Sequence, residues 1–342
     1  MKFPRIILVE PKAHEKVLDT LTELDLGKKC AVFCGANAKD VVREVAKKSI
    51  DNVRKKFKVE LFDAESIETD YIKKTAGKIK KFDFVVAIGG GKTIDVAKCS
   101  AFLAKKPWIA IPTVPSHDGM ICYRAILSEN EKWTSVDADI PTAVIVDLDV
   151  IKDAPYRFIA AGAGDALSNV SSVLDWKLAA KKKNEQYDPI IADIALIAPK
   201  AVSEYSKFIK NKTYEGLDAL VWALIWSGMS VNISRNPRVY SGSEHNFSHA
   251  LDALGSKALH GEQVALGTII SVYLHGGNWK GIMKLMYDLG LPTSAKSIGI
   301  SEDIMIKALV QARDMRNRYT ILNEKNIDEK EARKILKKVG II

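Results

Sequence analysis

Residues 84–105 read FVVAIGGGKTIDVAKCSAFLAK, an apolar run that meets three consecutive glycines and then repeats apolar residues at Ile94, Ala97, Ala101 and Ala104. The run has the character of a strand buried on both faces, and the spacing after the glycines is helical. A buried strand that turns on glycine directly into a helix belongs to a parallel sheet covered by helices. Backbone N–H groups and the helix dipole at such a turn can hold a phosphate; the alternative is a tight turn with no ligand. Three glycines bare more backbone than one turn requires, which favours the phosphate. Two better-known motifs fail: Val86 stands where a phosphate loop needs glycine, and GGGKTI lacks the full Gly-x-Gly-x-x-Gly fingerprint.

The same alternation extends to about residue 150. Strands are expected at 6–9, 31–33, 59–62, 84–88 and 108–112, with helices at 14–24, 39–57, 70–81 and 92–105 between them. TVPSHDG, residues 113–119, is a polar loop at a strand's carboxyl end, where ligand contacts collect in open parallel sheets. RAILS, KWTSVDA and AVIVDLDVI then read as a hairpin and a final strand. From residue 155 the pattern is helical, at 159–183, 190–208, 214–232, around His245, and at 262–275, 279–289, 302–316 and 328–339. The helix at 214–232 is apolar almost all round and should be central. The reading is an α/β dinucleotide-binding domain, 1–152, followed by an all-helical metal- and substrate-binding domain, 153–342.

The longest apolar run, 219–226, falls far short of the ~20 residues that span a bilayer, and the amino terminus lacks a secretory core. A cytoplasmic protein without stable membrane insertion is expected. Cys30, Cys34, Cys99 and Cys122 form no Cys-x-x-Cys pair and read as free thiols. The net charge of +9 is scattered over amphipathic helices, which argues against nucleic acid and suits an anionic small substrate. The helical second domain can present apolar faces to a second copy, so a homo-oligomer is expected.

Residues 241–261, SGSEHNFSHALDALGSKALHG, hold three of the six histidines. His245 and His249 are four apart and share a helix face, as one metal site or as a plain polar face. His260 follows, with Gly261 beside it. A metal needs more than two imidazoles, and Asp165, in AAGAGDALSNV after Gly162 and Gly164, is a candidate carboxylate. By itself Asp165 reads as an N-cap at a helix start. With His245 and His260 it makes one oxygen and two nitrogen donors with a position left open, as a catalytic zinc is held. Arg235 and Arg238 are candidates for gripping a phosphate. His14 reads as a surface residue and His275 as a capping or structural one.

GGGKTIDVAK at 89–98, Pro112-Thr113, GAGDALS at 162–168 and HGEQVALG at 260–267 together resemble the superfamily of polyol dehydrogenases and dehydroquinate synthases, which includes the iron-dependent alcohol dehydrogenases. The resemblance spans nearly the whole chain in order and implies a dehydroquinate synthase-like fold. TVPSHDG followed by SGSEHNFSHALD is similar to the branch that reduces dihydroxyacetone phosphate to sn-glycerol-1-phosphate for archaeal-type phospholipids, using Zn2+ and NAD(H) or NADP(H). By that resemblance Gly89, Gly90, Gly91, Lys92, Thr93, Thr113, Ser116 and Cys122 meet the cofactor. Asp118, Asp165 and His249 face the substrate as catalytic residues, and Asp165, His245 and His260 bind the metal. A glycerol dehydrogenase acting on unphosphorylated polyol is the alternative. A dehydroquinate synthase-like lyase is disfavoured, because those enzymes carry Glu where Asp165 stands.

Overall fold

The computed structural model describes residues 2–35, 40–129 and 132–342. Their contacts separate into two units, Met1–Pro155 and Tyr156–Ile342. The first runs β1 (Ile6–Glu10), α1 (Val17–Leu24), β2 (Lys29–Cys34), α2 (Asp40–Arg54), β3 (Lys58–Asp63), α3 (Thr69–Ile79), β4 (Phe84–Gly89), α4 (Gly91–Ala104), β5 (Trp108–Pro112), β6 (Arg124–Glu129), β7 (Lys132–Asp137), β8 (Ala143–Asp147) and α5 (Leu148–Asp153). The expected start of α2 at Lys39 lies outside the described residues.

Six strands pair in parallel in the order β1-β8-β5-β4-β2-β3, while β6 and β7 form a separate antiparallel hairpin. Alternate residues of the central strands serve opposite faces. Cys30, Val32, Phe84, Val86, Ile109 and Ile145 join Val17, Leu21, Val53 and Phe57 in one core. Ala31, Phe33, Val85, Ala87, Ala110 and Val144 are equally buried on the other side. Both faces are therefore covered, which explains why β4 reads as a continuous apolar run. The chain goes outward from β2 to β3 and returns to the other side of β2 as β4, so the order reverses between β2 and β4. Carboxyl ends at such a reversal form the crevice that ligands use, and here they are Cys34-Gly35 and Gly89-Gly90-Gly91.

The stretch AVIVDLDVI is not one strand. It ends as β8 at Asp147 and turns into α5, because the Asp147 carboxylate caps the helix by accepting from Asp149 N at 2.9 Å. The same carboxylate accepts from Lys12 N at 3.2 Å, from His14 N at 2.9 Å and from the His14 ring. His14 is thus a half-buried partner of Asp147 and not the free surface residue its position suggests.

The second unit, with no strand among its described residues, runs α6 (Tyr156–Leu167), α7 (Asn169–Lys183), α8 (Pro189–Glu204), α9 (Ser206–Lys210), α10 (Tyr214–Ser234), α11 (Ser243–Ala253), α12 (His260–Leu274), α13 (Trp279–Asp288), α14 (Glu302–Gln311) and α15 (Glu329–Lys338). Two long helices of the sequence reading are broken. At Ser168 the side-chain hydroxyl takes the carbonyl of Asp165 at 2.6 Å, a bond that competes with helix continuation and separates α6 from α7. The stretch 190–208 breaks at Tyr205. Pro199 inside α8 cannot donate to Ala195 O, and Asn169 Nδ2 fills that acceptor at 3.0 Å. Among the described residues α10 alone is long and apolar enough to cross a bilayer, but 72% of that window is buried inside the protein, as a core helix requires.

Replacing Asp147 with alanine removes the α5 cap and strands the Lys12 and His14 donors. We expect a stability loss on the order of 2–4 kcal/mol, seen as a lower urea midpoint. A variant with an unchanged midpoint would show that this carboxylate does not tie β1, β8 and α5 together.

Candidate active site

One side-chain cluster in the second unit has the composition of a metal site. Asp165, His245 and His260 each present a ligand atom, and those atoms lie within 4.8 Å of one another. Asp165 is the third-last residue of α6, not at a helix start, so it is not an N-cap. Gly162 and Gly164 likewise lie inside α6. The role of Gly164 is approach: a Cβ on it would stand 2.4 Å from Gly261 O, and one on Gly261 would stand 1.9 Å from Ala161 O. The two helices therefore cross with backbone against backbone. That crossing brings His260, the first residue of α12, to 3.6 Å from Asp165 Oδ1 through its Nε2. The side chain of His260 is 36% exposed against 6% for Asp165 and 7% for His245, so the cluster opens to solvent on the His260 side.

Both imidazoles are oriented by partners on their far nitrogen. His245 Nδ1 meets Glu244 Oε1 at 2.8 Å. Glu244 is fully buried and also accepts from Gly242 N at 2.6 Å and Ser171 Oγ at 2.7 Å. Burial, then the nearby Asp175 carboxylate, pushes the Glu244 carboxyl up to about 7. Burial, then the guanidiniums of Arg316 and Arg318, holds His245 well below the usual imidazole range. The ring is neutral, and with Glu244 ionised the contact is a hydrogen bond from Nδ1 that would leave Nε2 as the donor to a metal.

The tautomer of His260 follows from a longer chain. Gln263 Nε2 donates to Asp252 Oδ1 at 2.9 Å, which fixes the amide so that its Oε1 accepts from Ser248 Oγ at 2.6 Å. The one hydroxyl proton of Ser248 is thereby spent, so its oxygen accepts from His260 Nδ1 at 3.3 Å. That leaves His260 Nε2 as the ring atom facing Asp165. Two imidazoles and a carboxylate whose ligand atoms lie this close are a donor set that a divalent ion requires, and the residues fit one.

His249 does not belong to the three-donor set, although it shares a helix face with His245. Its Nδ1 lies 4.0 Å from Asp252 Oδ2, and its Nε2 is buried without a hydrogen-bond partner. Burial first, then Arg316, His245, His260 and Arg318, hold its ring well below the usual range, which places it beside both candidate ligands. Arg238 is not available to a phosphate. It is buried, binds Glu185 through Nε at 2.7 Å and Nη2 at 2.5 Å, and donates to Tyr319 O at 2.6 Å. Arg235 holds the left-handed C-cap of α10. His275 Nε2 meets the Asp175 carboxylate at 3.0 Å, and His275 caps α12.

In the first unit, Gly90 is the N-cap of α4 and Gly91 its first residue. Gly89 O accepts from Thr113 N at 3.1 Å, joining the glycine turn to the loop after β5. The cradle is close-fitting: a Cβ on Gly91 would meet His117 Nε2 at 2.0 Å, and Cβ atoms on Gly35 and Gly89 would meet Thr93 Oγ1 at 2.9 and 2.6 Å. Bare backbone at a helix N-terminus fits a dinucleotide pyrophosphate. Thr93 is buried, Lys92 Nζ reaches Glu65 O, and Ser116 lies in the loop beside His117, whose Nδ1 accepts from Gly119 N at 2.9 Å. Asp118 opens the turn Asp118–Met120 and is buried. Cys122 lies beneath the loop, its thiol pushed up to about 12 by burial and donating to Arg124 O at 3.4 Å.

Sequence reasoning missed what supports this loop. Lys98 is fully buried and donates to Gly119 O at 2.7 Å, Arg124 O at 2.6 Å and Asp95 Oδ1 at 3.2 Å. Burial alone would lower its pKa, yet Asp95 carries it above the ordinary value. An i, i+3 Asp–Lys pair in an otherwise apolar helix was the available signal.

The profile of the iron-containing alcohol dehydrogenase family matches residues 8–155. The chain is 39% identical over 346 aligned residues to glycerol-1-phosphate dehydrogenase [NAD(P)+] of Pyrococcus abyssi, covering 100% of this chain and 99% of that protein. It is 38% identical over 347 to the enzyme of the same name from Pyrococcus horikoshii, with the same coverage. Among solved structures, glycerol dehydrogenase from Schizosaccharomyces pombe superposes with a TM-score of 0.80 at 19% identity, over 99% of this chain and 89% of that one.

Glu244→Ala and Ser248→Ala each remove the group that sets an imidazole's proton. Metal affinity should fall on the order of 10–100-fold in either variant, measured by competition with a chromogenic chelator. Wild-type affinity in a variant of unchanged helicity would show that the ligand's orientation comes from packing alone.

Proposed function

This chain belongs to the glycerol-1-phosphate dehydrogenase family and is an NAD(P)-linked oxidoreductase, and on that premise we propose a direction, a metal and a division of labour for its residues. The direction is reduction of dihydroxyacetone phosphate to sn-glycerol-1-phosphate. Two electrons and a proton leave NAD(P)H as hydride for the ketone carbon, and a second proton goes to the ketone oxygen. The carrying observation is the group of Asp165, His245 and His260, one oxygen and two nitrogen donors with an open side.

Asp165, His245 and His260 would hold the ion, and zinc is the metal we assign, because neutral imidazole nitrogen and carboxylate oxygen with a free position make its usual catalytic donor set. Such an ion supplies Lewis-acid polarisation of the substrate carbonyl. Glu244 and the Ser248-Gln263-Asp252 chain keep the two rings in the tautomer that binds. His249, with its Nε2 unpartnered and buried, is assigned to the substrate oxygen that changes protonation, where a neutral ring can accept one hydrogen bond and donate another. In the first unit Gly89, Gly90, Gly91, Lys92, Thr93, Thr113 and Ser116 are assigned to the cofactor. Cys122 supports that loop from beneath. Asp118 is assigned to the substrate on resemblance alone.

The test is spectrophotometric. Purified protein should oxidise NADH or NADPH on adding dihydroxyacetone phosphate, give product of the sn-1 hand, and lose that activity on exhaustive chelation while still binding the dinucleotide. Asp165→Ala and His260→Ala should reduce kcat by at least about 1,000-fold, an electrostatic contribution on the order of 4 kcal/mol. Full activity in metal-free protein, or a preference for unphosphorylated dihydroxyacetone, would overturn the assignment.

A further inference from the structure

Two glycines of the first unit leave room for the same side chain. A Cβ on Gly91 would stand 2.0 Å from His117 Nε2, and a Cβ on Gly119 would stand 2.4 Å from His117 Cε1. The imidazole is therefore wedged between the first residue of α4 and the turn Asp118–Met120, where a larger residue on either side would displace it. Gly119 also fixes the ring through its own backbone. Its N donates to His117 Nδ1 at 2.9 Å, and its O takes the buried ammonium of Lys98 at 2.7 Å.

A ring nitrogen that accepts from an N–H carries no proton, so the proton of His117 sits on Nε2. That second N–H stands over Gly91 with no hydrogen-bond partner among the described residues, and the ring is only half-buried. Gly90, the N-cap of α4, has no side chain to offer, and no side chain caps this helix start. Ring donor and helix donors therefore share one place, at the carboxyl end of β4 where the strand order reverses. An ionised acceptor with several oxygens satisfies both, and hydrogen bonds to such an acceptor are about twice as strong as neutral ones.

We infer that His117 is a cofactor-binding residue whose Nε2–H donates to the dinucleotide pyrophosphate, an inference that rests on reading the glycine turn as the pyrophosphate site. Lys98 acts at one remove. It holds Gly119, whose N–H sets the tautomer of the ring, so the buried Lys98-Asp95 pair is a positioning device for this donor. The substrate's phosphate and the 2′-phosphate of NADPH are other sources of the same chemistry.

The test uses two replacements that separate the ring nitrogens. His117→Asn keeps an acceptor for Gly119 N, in the manner in which Asn236 Oδ1 accepts from Arg238 N at 3.0 Å, but puts no donor as far out as Nε2. His117→Gln carries an amide nitrogen that far. Calorimetric affinity for ADP-ribose should fall, and KM for both NADH and NADPH should rise, on the order of 10–100-fold in His117→Asn and less in His117→Gln. KM for dihydroxyacetone phosphate at saturating NADH, and kcat, should each stay within about threefold. The melting temperature of His117→Asn should not move. A rise in the dihydroxyacetone phosphate KM instead would assign the ring to the substrate, and a rise confined to NADPH would assign it to the 2′-phosphate. Equal losses in both variants would make it a packing residue. Each of these results, or no change at all, overturns the inference. Gly90→Asp keeps the two readings apart by setting a carboxylate in the turn itself. If ADP-ribose still binds that variant as it binds wild type, the glycine turn is not the pyrophosphate site. If binding is lost there but unchanged in His117→Asn, the imidazole alone is wrongly assigned.

Discussion

The second unit depends on one contact in which two helices meet without side chains between them. Gly164 of α6 and Gly261 of α12 each leave room for a carbonyl of the other helix, at distances where any Cβ would overlap. Helices normally pack 8–10 Å apart because side chains interdigitate, and only glycine lets backbones approach more closely. Asp165 follows one of these glycines and His260 precedes the other. Their separation is therefore set by the crossing itself and not by the rotamers of long side chains. Donors placed by backbone contact lose little entropy on gathering an ion.

Around this crossing the protein spends its buried polar groups on orientation. Glu244, Asp175, Ser171, Ser243, Asn246, Ser248 and Gln263 are all buried in or beside α11 and α12. Most are paired: Asp175 accepts from Ser243 N at 2.7 Å and Ile321 N at 2.7 Å and meets His275, and Glu244 takes three donors. Such a network is costly when incomplete and rigid when satisfied. Here its satisfied members end on His245 Nδ1 and His260 Nδ1, so that the rigidity is delivered to the two Nε2 atoms.

Local periodicity made the framework of the first unit readable. Strand and helix alternation, the glycine turn between β4 and α4, and the polar loop after β5 all depend on residues close in sequence, where propensity and burial pattern agree. Elements failed where one side chain overrides the pattern: Asp147 caps α5 inside an apolar run, and Ser168 takes the Asp165 carbonyl. The candidate metal donors show the limit more sharply. Helical spacing pairs His245 with His249, but α6 and α11 both pack on α12 and bring Asp165 and His245 to His260, and no spacing within one helix contains that information. Asp165 became a candidate through small-residue context and motif resemblance. The Gln263 amide, and Arg316 and Arg318 donating to Ser241, join segments far apart in sequence, and their residue types are unremarkable on a helix or loop.

The electrostatics of the donor cluster and of Arg316 and Arg318 bear together on selectivity. Asp165 is the single carboxylate in the candidate donor set beside two imidazoles, so a divalent ion held there would keep a net positive charge. Arg316 and Arg318 add positive charge within reach of the same rings. Positive charge beside the cluster favours an anionic ligand over a neutral one of the same size, and such a preference needs no steric exclusion of the smaller molecule.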